Sequence, residues 1–210
     1  MKRGSFVAVL VLAMSSPLSA QSIAGTPIRF GVMGGLTQPV TSLAGAANND
    51  WNVGALVLFG APESRLRFRL DGQWHQLAGK PNGGLLICVS CGHTAWQRDY
   101  RVLDATANAV FSTPVSSSAK FYLIGGVGVY NARGTNSQFP TDQVGPQTSS
   151  VTEFGVNTGA GLSFRLGRHT GFAEARFHDL IGSSSFENNG LTSDKPDSFQ
   201  FVPINVGFII

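Results

Sequence analysis

The residues most able to do chemistry are charged side chains that recur at every second position in short segments. Arg67, Arg69 and Asp71 alternate with leucine and phenylalanine, and Glu174 and Arg176 alternate with alanine. Two carboxylates can act as general acid and general base only if their environments differ. Neighbouring arginines instead hold carboxylates in the ionised form. The pattern therefore favours ion pairing over acid–base catalysis.

A second group of reactive side chains is Cys88, Cys91 and His93. A structural zinc site usually needs four ligands, and only three are close together here. In an oxidising compartment, a disulfide between Cys88 and Cys91 that closes a loop is the expected outcome. Metal binding and a redox-active pair are the alternatives, although no βαβ pattern surrounds the two cysteines.

The first residues of the chain predict export into such a compartment. Lys2 and Arg3 precede the apolar stretch 6–14, and small residues lead up to Ala20. This order is typical of a secretory signal peptide. We therefore predict a signal peptide over 1–20 and one mature domain over 21–210. The apolar stretch is too short for a membrane-spanning helix, which needs roughly 20 residues.

Composition narrows the class of protein. Only 13% of the residues are charged, against about 25% in ordinary soluble domains. The formal net charge is +3, and no run of lysine and arginine is present that could follow a nucleic-acid backbone. We therefore expect no nucleic-acid partner, and a glycine-rich all-β protein is the best fit.

Eight segments alternate between apolar and polar residues, as strands with one apolar face do. Short and long connectors alternate between these segments, as in outer-membrane barrels with tight periplasmic turns and long external loops. The short connectors are 60–63, 114–118 and 167–169. The long ones are 37–50, 76–99, 132–150 and 181–198. The predicted strands are 27–36, 51–59, 64–75, 100–113, 119–131, 151–166, 170–180 and 199–210.

One face of the predicted strands carries no charged residue, and the charges lie on the other face. A soluble lipocalin-like barrel would turn the charged face outwards. A membrane barrel turns it inwards, with aromatic residues at both edges of the apolar band. Aromatic residues of the apolar face do lie near the strand ends. At the long-loop end they are Trp51, Trp74, Phe154 and Phe177, and at the short-turn end Phe30, Phe59, Phe111, Phe121, Phe164 and Phe208.

We therefore predict a closed, antiparallel, eight-stranded up-and-down transmembrane β-barrel. Its interior is just wide enough to be filled by side chains, and buried charges must be paired. We expect a network of salt bridges in the lumen, with a narrow ion path and a catalytic site as alternatives. The predicted lumen charge network is Arg67, Arg69, Asp71, Asp104, Glu174, Arg176 and His178. A cationic rim at the periplasmic end is predicted from Arg29, Arg65, Lys120 and Arg165.

Three stretches resemble the small outer-membrane β-barrel family, the class of the OmpA-type membrane domain. They are 122–130 (YLIGGVGVY), 155–166 (GVNTGAGLSFRL) with 172–178 (FAEARFH), and the final strand 199–210 (FQFVPINVGFII). The resemblance implies residence in the bacterial outer membrane. It also implies contact with outer-membrane lipids and with the barrel assembly machinery during biogenesis.

A structural or surface-interaction role without enzymatic activity and without a cofactor is the leading expectation for function. Glu174 and His178 lie four strand positions apart, roughly 13 Å, so they cannot hydrogen-bond directly. The alternatives are a small porin-like pore for ions or small solutes and a soluble periplasmic ligand-binding barrel. No binding motif for an external ligand is recognisable in the long connectors.

Overall fold

The computed structural model describes residues 22–23, 26–82, 95–139, 147–182, 186–188, 191–193 and 199–210. The predicted signal peptide over 1–20 and the cysteines Cys88 and Cys91 lie outside the described residues. No helix in the described part of the chain is both long and apolar enough to cross a membrane.

Eight long strands form the body of the molecule. In chain order they are β1 (Thr26–Val40), β2 (Asp50–Phe59), β3 (Leu66–Leu77), β4 (Ala95–Pro114), β5 (Ala119–Phe139), β6 (Gln147–Leu166), β7 (His169–Ile181) and β8 (Phe199–Ile209). Two-residue strands at Ser22–Ile23 and Pro81–Asn82 pair with β1 and β4. A separate hairpin joins Phe186–Asn188 to Leu191–Ser193.

Each long strand pairs antiparallel with the next along the chain, and β8 pairs with β1. The sheet is thus a closed eight-stranded barrel, which confirms the predicted fold. Closure is what a membrane requires, because an open sheet edge in lipid would leave backbone N–H and C=O groups without partners. In the closing register Val206 lies opposite Gly34 and Phe208 opposite Val32.

Side-chain exposure confirms the predicted orientation of the two faces. Along β3 the exposed and buried positions alternate from Leu66 to Trp74. Arg69 is 3% exposed, whereas the neighbouring Phe68 is 61% exposed. The charged face is therefore inside and the apolar face outside. A soluble barrel needs the opposite arrangement, so this alternative is overturned.

Three predicted connectors need correction. The connector predicted at 76–99 is shorter in the structure, because β3 runs to Leu77 and β4 begins at Ala95. The connector predicted at 132–150 is mostly strand, because β5 continues to Phe139 and β6 begins at Gln147. The connector predicted at 37–50 holds the end of β1 and the short helix α1, Thr41–Ala46. Residues of low β-propensity, such as Gly134 and Asn136, suggested a loop at 132–150. Pairing between β5 and β6 supplies the backbone hydrogen bonds that override this preference.

Helix α1 lies against the end of the barrel where the long connectors are. Its Leu43 is fully buried, and the Nζ of Lys80 donates to the Ala44 carbonyl oxygen at 2.5 Å. The backbone N–H of Lys80 donates to the Ala46 carbonyl at 2.8 Å. These bonds tie the connector between β1 and β2 to the residues that follow β3.

Candidate functional site

A cluster of four charged side chains occupies the middle of the lumen. Arg69 and Asp71 project from β3, and Glu174 and Arg176 project from β7 on the opposite wall. The guanidinium of Arg69 lies 2.9 Å from the Asp71 carboxylate and 2.7 Å from that of Glu174. The guanidinium of Arg176 lies 3.1 Å from Glu174 and 3.4 Å from Asp71. Each arginine thus contacts both carboxylates, and the formal charges of the four residues cancel.

Polar neighbours add hydrogen bonds to this ion cluster. The Asn108 amide donates to Asp71 at 2.6 Å, and the Tyr122 hydroxyl donates to Glu174 at 2.8 Å. Arg176 Nη2 donates to Gln73 Oε1 at 2.7 Å. Such hydrogen bonds offset part of the cost of burying the ion pairs. The geometry holds the charges in fixed positions across the barrel.

Glycines on the inward face of β6 make room for these large side chains. A Cβ atom on Gly159 would collide with Arg176, and one on Gly161 would collide with the ring of Tyr122. A Cβ atom on Gly155 would likewise collide with the ring of Tyr130. The narrow barrel therefore has room for these arginine and tyrosine side chains because glycine occupies the neighbouring positions on the adjacent strand.

A second polar group joins Thr37, His75 and Asp104. The Thr37 hydroxyl lies 2.8 Å from His75 Nδ1, and Asp104 Oδ2 lies 2.8 Å from His75 Nε2. The types of group are those of a hydrolase triad, but all three side chains are almost fully buried. None of them lines either of the two cavities described at the short-turn end of the barrel. The two contacts orient the His75 ring inside the barrel.

His178 belongs to an aromatic group and makes no ion pair with a described carboxylate. Its ring stacks on Phe201 with centroids 5.0 Å apart, and its Nδ1 lies 3.0 Å from the Tyr130 hydroxyl. His75 also contacts Phe201, at 4.9 Å between centroids. These rings separate the ion cluster from the long-connector end of the lumen.

Two layers of buried apolar side chains lie on either side of the polar middle. We call the first the outer apolar layer; it lies at the long-connector end. The periplasmic apolar layer lies towards the short turns. The outer layer consists of Leu43, Ala47, Leu77, Tyr100, Val102, Tyr130, Ala132, Leu180, Phe199 and Phe201. The periplasmic layer consists of Met33, Leu56, Leu58, Val110, Tyr122, Ile124, Phe172 and Ile209.

The seven residues of the predicted lumen charge network all point inwards, but the structure does not join them in one network. Arg69, Asp71, Glu174 and Arg176 form the ion cluster, while Asp104 pairs with His75. Arg67 makes no ion pair with a described residue; its Nη2 donates to the Ser112 hydroxyl at 2.7 Å. Arg67 lies two positions before Arg69, which places it about 6.6 Å along β3 towards the short turns, beside the periplasmic layer.

The predicted rim residues lie at the short-turn end. Arg29, Lys120 and Arg165 line a common cavity there, together with Arg67. Arg65 is exposed and does not line it. One residue of the predicted lumen network and three residues of the predicted rim therefore line the same cavity. Strand alternation alone does not predict that these four residues come together.

The predicted interface aromatics lie on the outer face of the barrel. Phe154 is the most exposed at 75%, and Trp51 is 48% exposed. Phe59 and Phe177 are only partly exposed. Phe68 also lies on this face, at 61% exposure, and extends the aromatic set at the short-turn end.

The two apolar layers are the feature that the sequence analysis missed. Val102 and Val110 have the same strand parity as Asp104 and Asn108, and Leu56 and Leu58 have the parity of Asn52. An inward face that changes from apolar to polar and back along a strand is therefore visible in the sequence. Among the described residues, no group of three histidine, cysteine or acidic side chains is placed to hold a metal ion.

The closed barrel, its apolar exterior and its charged interior define the class of small transmembrane β-barrels. Neisserial surface protein A is similar in fold, with 12% identity and a TM-score of 0.52, over 87% of this chain and 96% of that one. A major outer membrane protein from Thermus thermophilus has 12% identity and a TM-score of 0.57, over 87% of this chain and 98% of that one. No protein-family profile and no curated protein matches the chain. The chain thus has the fold of small outer-membrane β-barrels, which confirms the predicted resemblance at the level of fold and supports an outer-membrane location.

Proposed function

We propose that this protein is an integral outer-membrane β-barrel that conducts no ions and catalyses no reaction. Its role is to present the external ends of its strands and connectors at the cell surface. The observation that carries the non-conducting part is the layered lumen, in which a neutral ion cluster lies between two apolar layers. A hydrated ion would have to displace side chains in all three zones.

The burial of the ion cluster supports this proposal. Arg176 is 0% exposed and Arg69 is 3% exposed. A water-filled path along the lumen would leave such guanidinium groups accessible. An interior of eight strands is also of a size that side chains fill completely.

Single-channel recording in planar lipid bilayers tests the closed lumen. The refolded full-length chain is expected to give no conductance steps, while a general porin in the same lipid serves as the positive control. A double variant, Tyr130→Ala with Phe201→Ala, removes two large rings from the outer layer and is expected to increase leakage. Discrete steps from the unaltered protein would overturn the proposal in favour of the porin-like pore.

The length of three neighbouring strands supports the surface role. A tilted transmembrane strand needs about 9–11 residues, whereas β4, β5 and β6 have 20, 21 and 20 residues. The excess lies at the long-connector end, where the outward side chains are polar. Arg101 lies directly opposite Arg133 there, and both are exposed.

Labelling of whole cells tests which end faces outwards. Cysteine at Thr148, an exposed position in the β6 extension, is expected to react with a membrane-impermeant maleimide. Cysteine at Val115, 65% exposed in a short turn, is the matched control and is expected to react only after lysis. Labelling of the unaltered chain corrects for Cys88 and Cys91. The reverse pattern would contradict the proposed surface role.

The absence of enzymatic activity is proposed from the site geometry. The group Thr37, His75 and Asp104 is buried inside the barrel, where a lipid acyl chain or a water-soluble ester has no described route to it. Purified protein is expected to release no product from nitrophenyl esters or phospholipid vesicles. Hydrolysis that is lost in Thr37→Val would overturn this part of the proposal.

A further inference from the structure

A small cavity opens at the periplasmic end of the lumen, and the charged residues that line it are all cations. Its volume is about 90 Å³, and Arg29, Arg67, Lys120 and Arg165 all contribute to its wall. The Ser116, Ser117 and Ser118 turn between β4 and β5 closes one side. No acidic side chain of the described chain lines the cavity. A cavity needs about 10–15 Å³ of this kind of volume to hold one water molecule, so several water-sized groups fit.

Arg67 gives the cavity a buried donor without a partner. The residue is 8% exposed, so it is more than nine-tenths buried. Its Nη2 donates to Ser112, but its Nε makes no hydrogen bond within the described structure. Arg29, which shares the cavity wall with it, is also a cation. Buried guanidinium groups are normally paired, and Arg67 has no described carboxylate to pair with.

The other walls supply further free donors. Arg29 is half-buried, and its Nε also lacks a partner in the described chain. Lys120 donates from Nζ to the Pro62 carbonyl at 2.7 Å, which leaves two of its three N–H donors for a ligand. Glu63 interacts electrostatically with Arg29 and Lys120, but it is exposed and does not line the cavity.

The serine turn is held in position with its hydroxyls at the cavity. The backbone N–H of Val115 donates to the Ala119 carbonyl at 2.9 Å, and that of Arg165 donates to the Ser118 carbonyl at 2.8 Å. The Ser116 hydroxyl accepts from the Ala119 N–H at 3.1 Å. The hydroxyls of Ser117 and Ser118 make no hydrogen bond to another described residue and are available to a ligand.

We propose that this cavity is a binding site for a phosphate group at the periplasmic mouth of the barrel. Several cations with unused N–H donors, together with serine hydroxyls, suit a compact anion that carries several acceptor oxygens. The same chemistry could come from free inorganic phosphate or from the headgroup of an anionic phospholipid in the inner leaflet. The proposal is independent of whether the lumen conducts.

Calorimetric titration of inorganic phosphate into the refolded full-length chain tests the site. Lys120→Gln and Arg67→Gln are each expected to weaken binding at least about tenfold, since each removes charge-assisted hydrogen bonds. Arg168→Gln is the matched control, because Arg168 is an exposed arginine of the neighbouring periplasmic turn that does not line the cavity. It is expected to bind phosphate as the unaltered chain does. The shift in gel mobility on heating verifies that each variant is folded.

A second arm distinguishes the two sources of phosphate. The titration is repeated in nanodiscs of phosphatidylcholine and in nanodiscs that contain phosphatidylglycerol. Loss of phosphate binding only with phosphatidylglycerol identifies a lipid headgroup as the natural occupant, and unchanged binding identifies free phosphate. Phosphate at about 10 mM detects even very weak binding. No binding at this concentration, in detergent or in either nanodisc, would overturn the proposal. An equal loss in Arg168→Gln would also overturn it, because the effect would then be general rim charge.

Discussion

Replacement of Arg176 by methionine tests whether the ion cluster is a balanced unit. Methionine keeps most of the unbranched stem of arginine, so the change removes charge with little loss of volume. Arg69 would then face Asp71 and Glu174 alone, and the cluster would carry one uncompensated negative charge. Gln73 would also lose the donor that lies 2.7 Å from its Oε1.

The magnitude follows from the burial of the cluster. Removing one partner from a buried ion pair costs about 3–5 kcal/mol, and Arg176 and Glu174 are both almost fully buried. With an m-value of about 2 kcal/mol per molar urea, a loss of about 4 kcal/mol lowers the unfolding midpoint by about 2 M. Reversible urea unfolding in lipid vesicles, followed by tryptophan fluorescence and gel mobility, measures this shift.

A charge-balanced double variant is the control. Arg176→Met combined with Glu174→Gln leaves one arginine and one aspartate, so the cluster is neutral again. The double variant is expected to lose less stability than the sum of the two single variants, with a coupling of about 0.5–3 kcal/mol. An unchanged midpoint in Arg176→Met, or strict additivity in the double variant, would refute the reasoning that these charges balance one another.

Three further predictions concern the other parts of the barrel. Tyr122→Phe removes the hydroxyl that donates to Glu174 at 2.8 Å and is expected to cost about 1.5–3 kcal/mol in urea unfolding; an unchanged midpoint would contradict this bond. Leu43→Ala removes the fully buried side chain of α1 and is expected to lower the free energy of unfolding by about 2–5 kcal/mol. An unchanged midpoint would mean that the helix does not pack on the barrel. Val127→Arg places a charge on the lipid-facing surface, where it is expected to cost about 2–4 kcal/mol. Val115→Arg, at similar exposure in a turn, is its control and is expected to cost little; equal effects would mean that Val127 does not face lipid.

Much of the architecture could be predicted from strand alternation. Successive side chains of a strand point to opposite faces. Arg69 therefore points to the face opposite to that of Leu66 and Leu70. The short connectors at 60–63 and 167–169 identify tight turns, and Gly60 and Gly167 do adopt positive φ there. Strand ends were harder to predict, because β5 and β6 extend through polar residues that would also suit a loop.

Pairing of side chains inside the lumen could not be predicted in the same way. Arg69 and Glu174 are 105 residues apart in the chain, and they meet because β3 and β7 lie on opposite walls of the barrel. Asp104 was an equally reasonable partner for Arg176 from parity alone, yet it lies beside His75 on the adjacent strand. Only the register of the strands in the closed barrel decides which carboxylate pairs with Arg176.

By itself, the amino-acid sequence determined the two faces of the strands, the number of strands and the aromatic residues at both edges of the apolar face. These follow from local periodicity, which depends on neighbours two positions apart. The tertiary structure decided which inward charges pair, that apolar layers lie on both sides of them, and that Arg67 joins the cationic rim instead of the ion cluster. The physical reason is that strand tilt and closure set the height of each inward side chain against those across the lumen, a relation that no single strand contains.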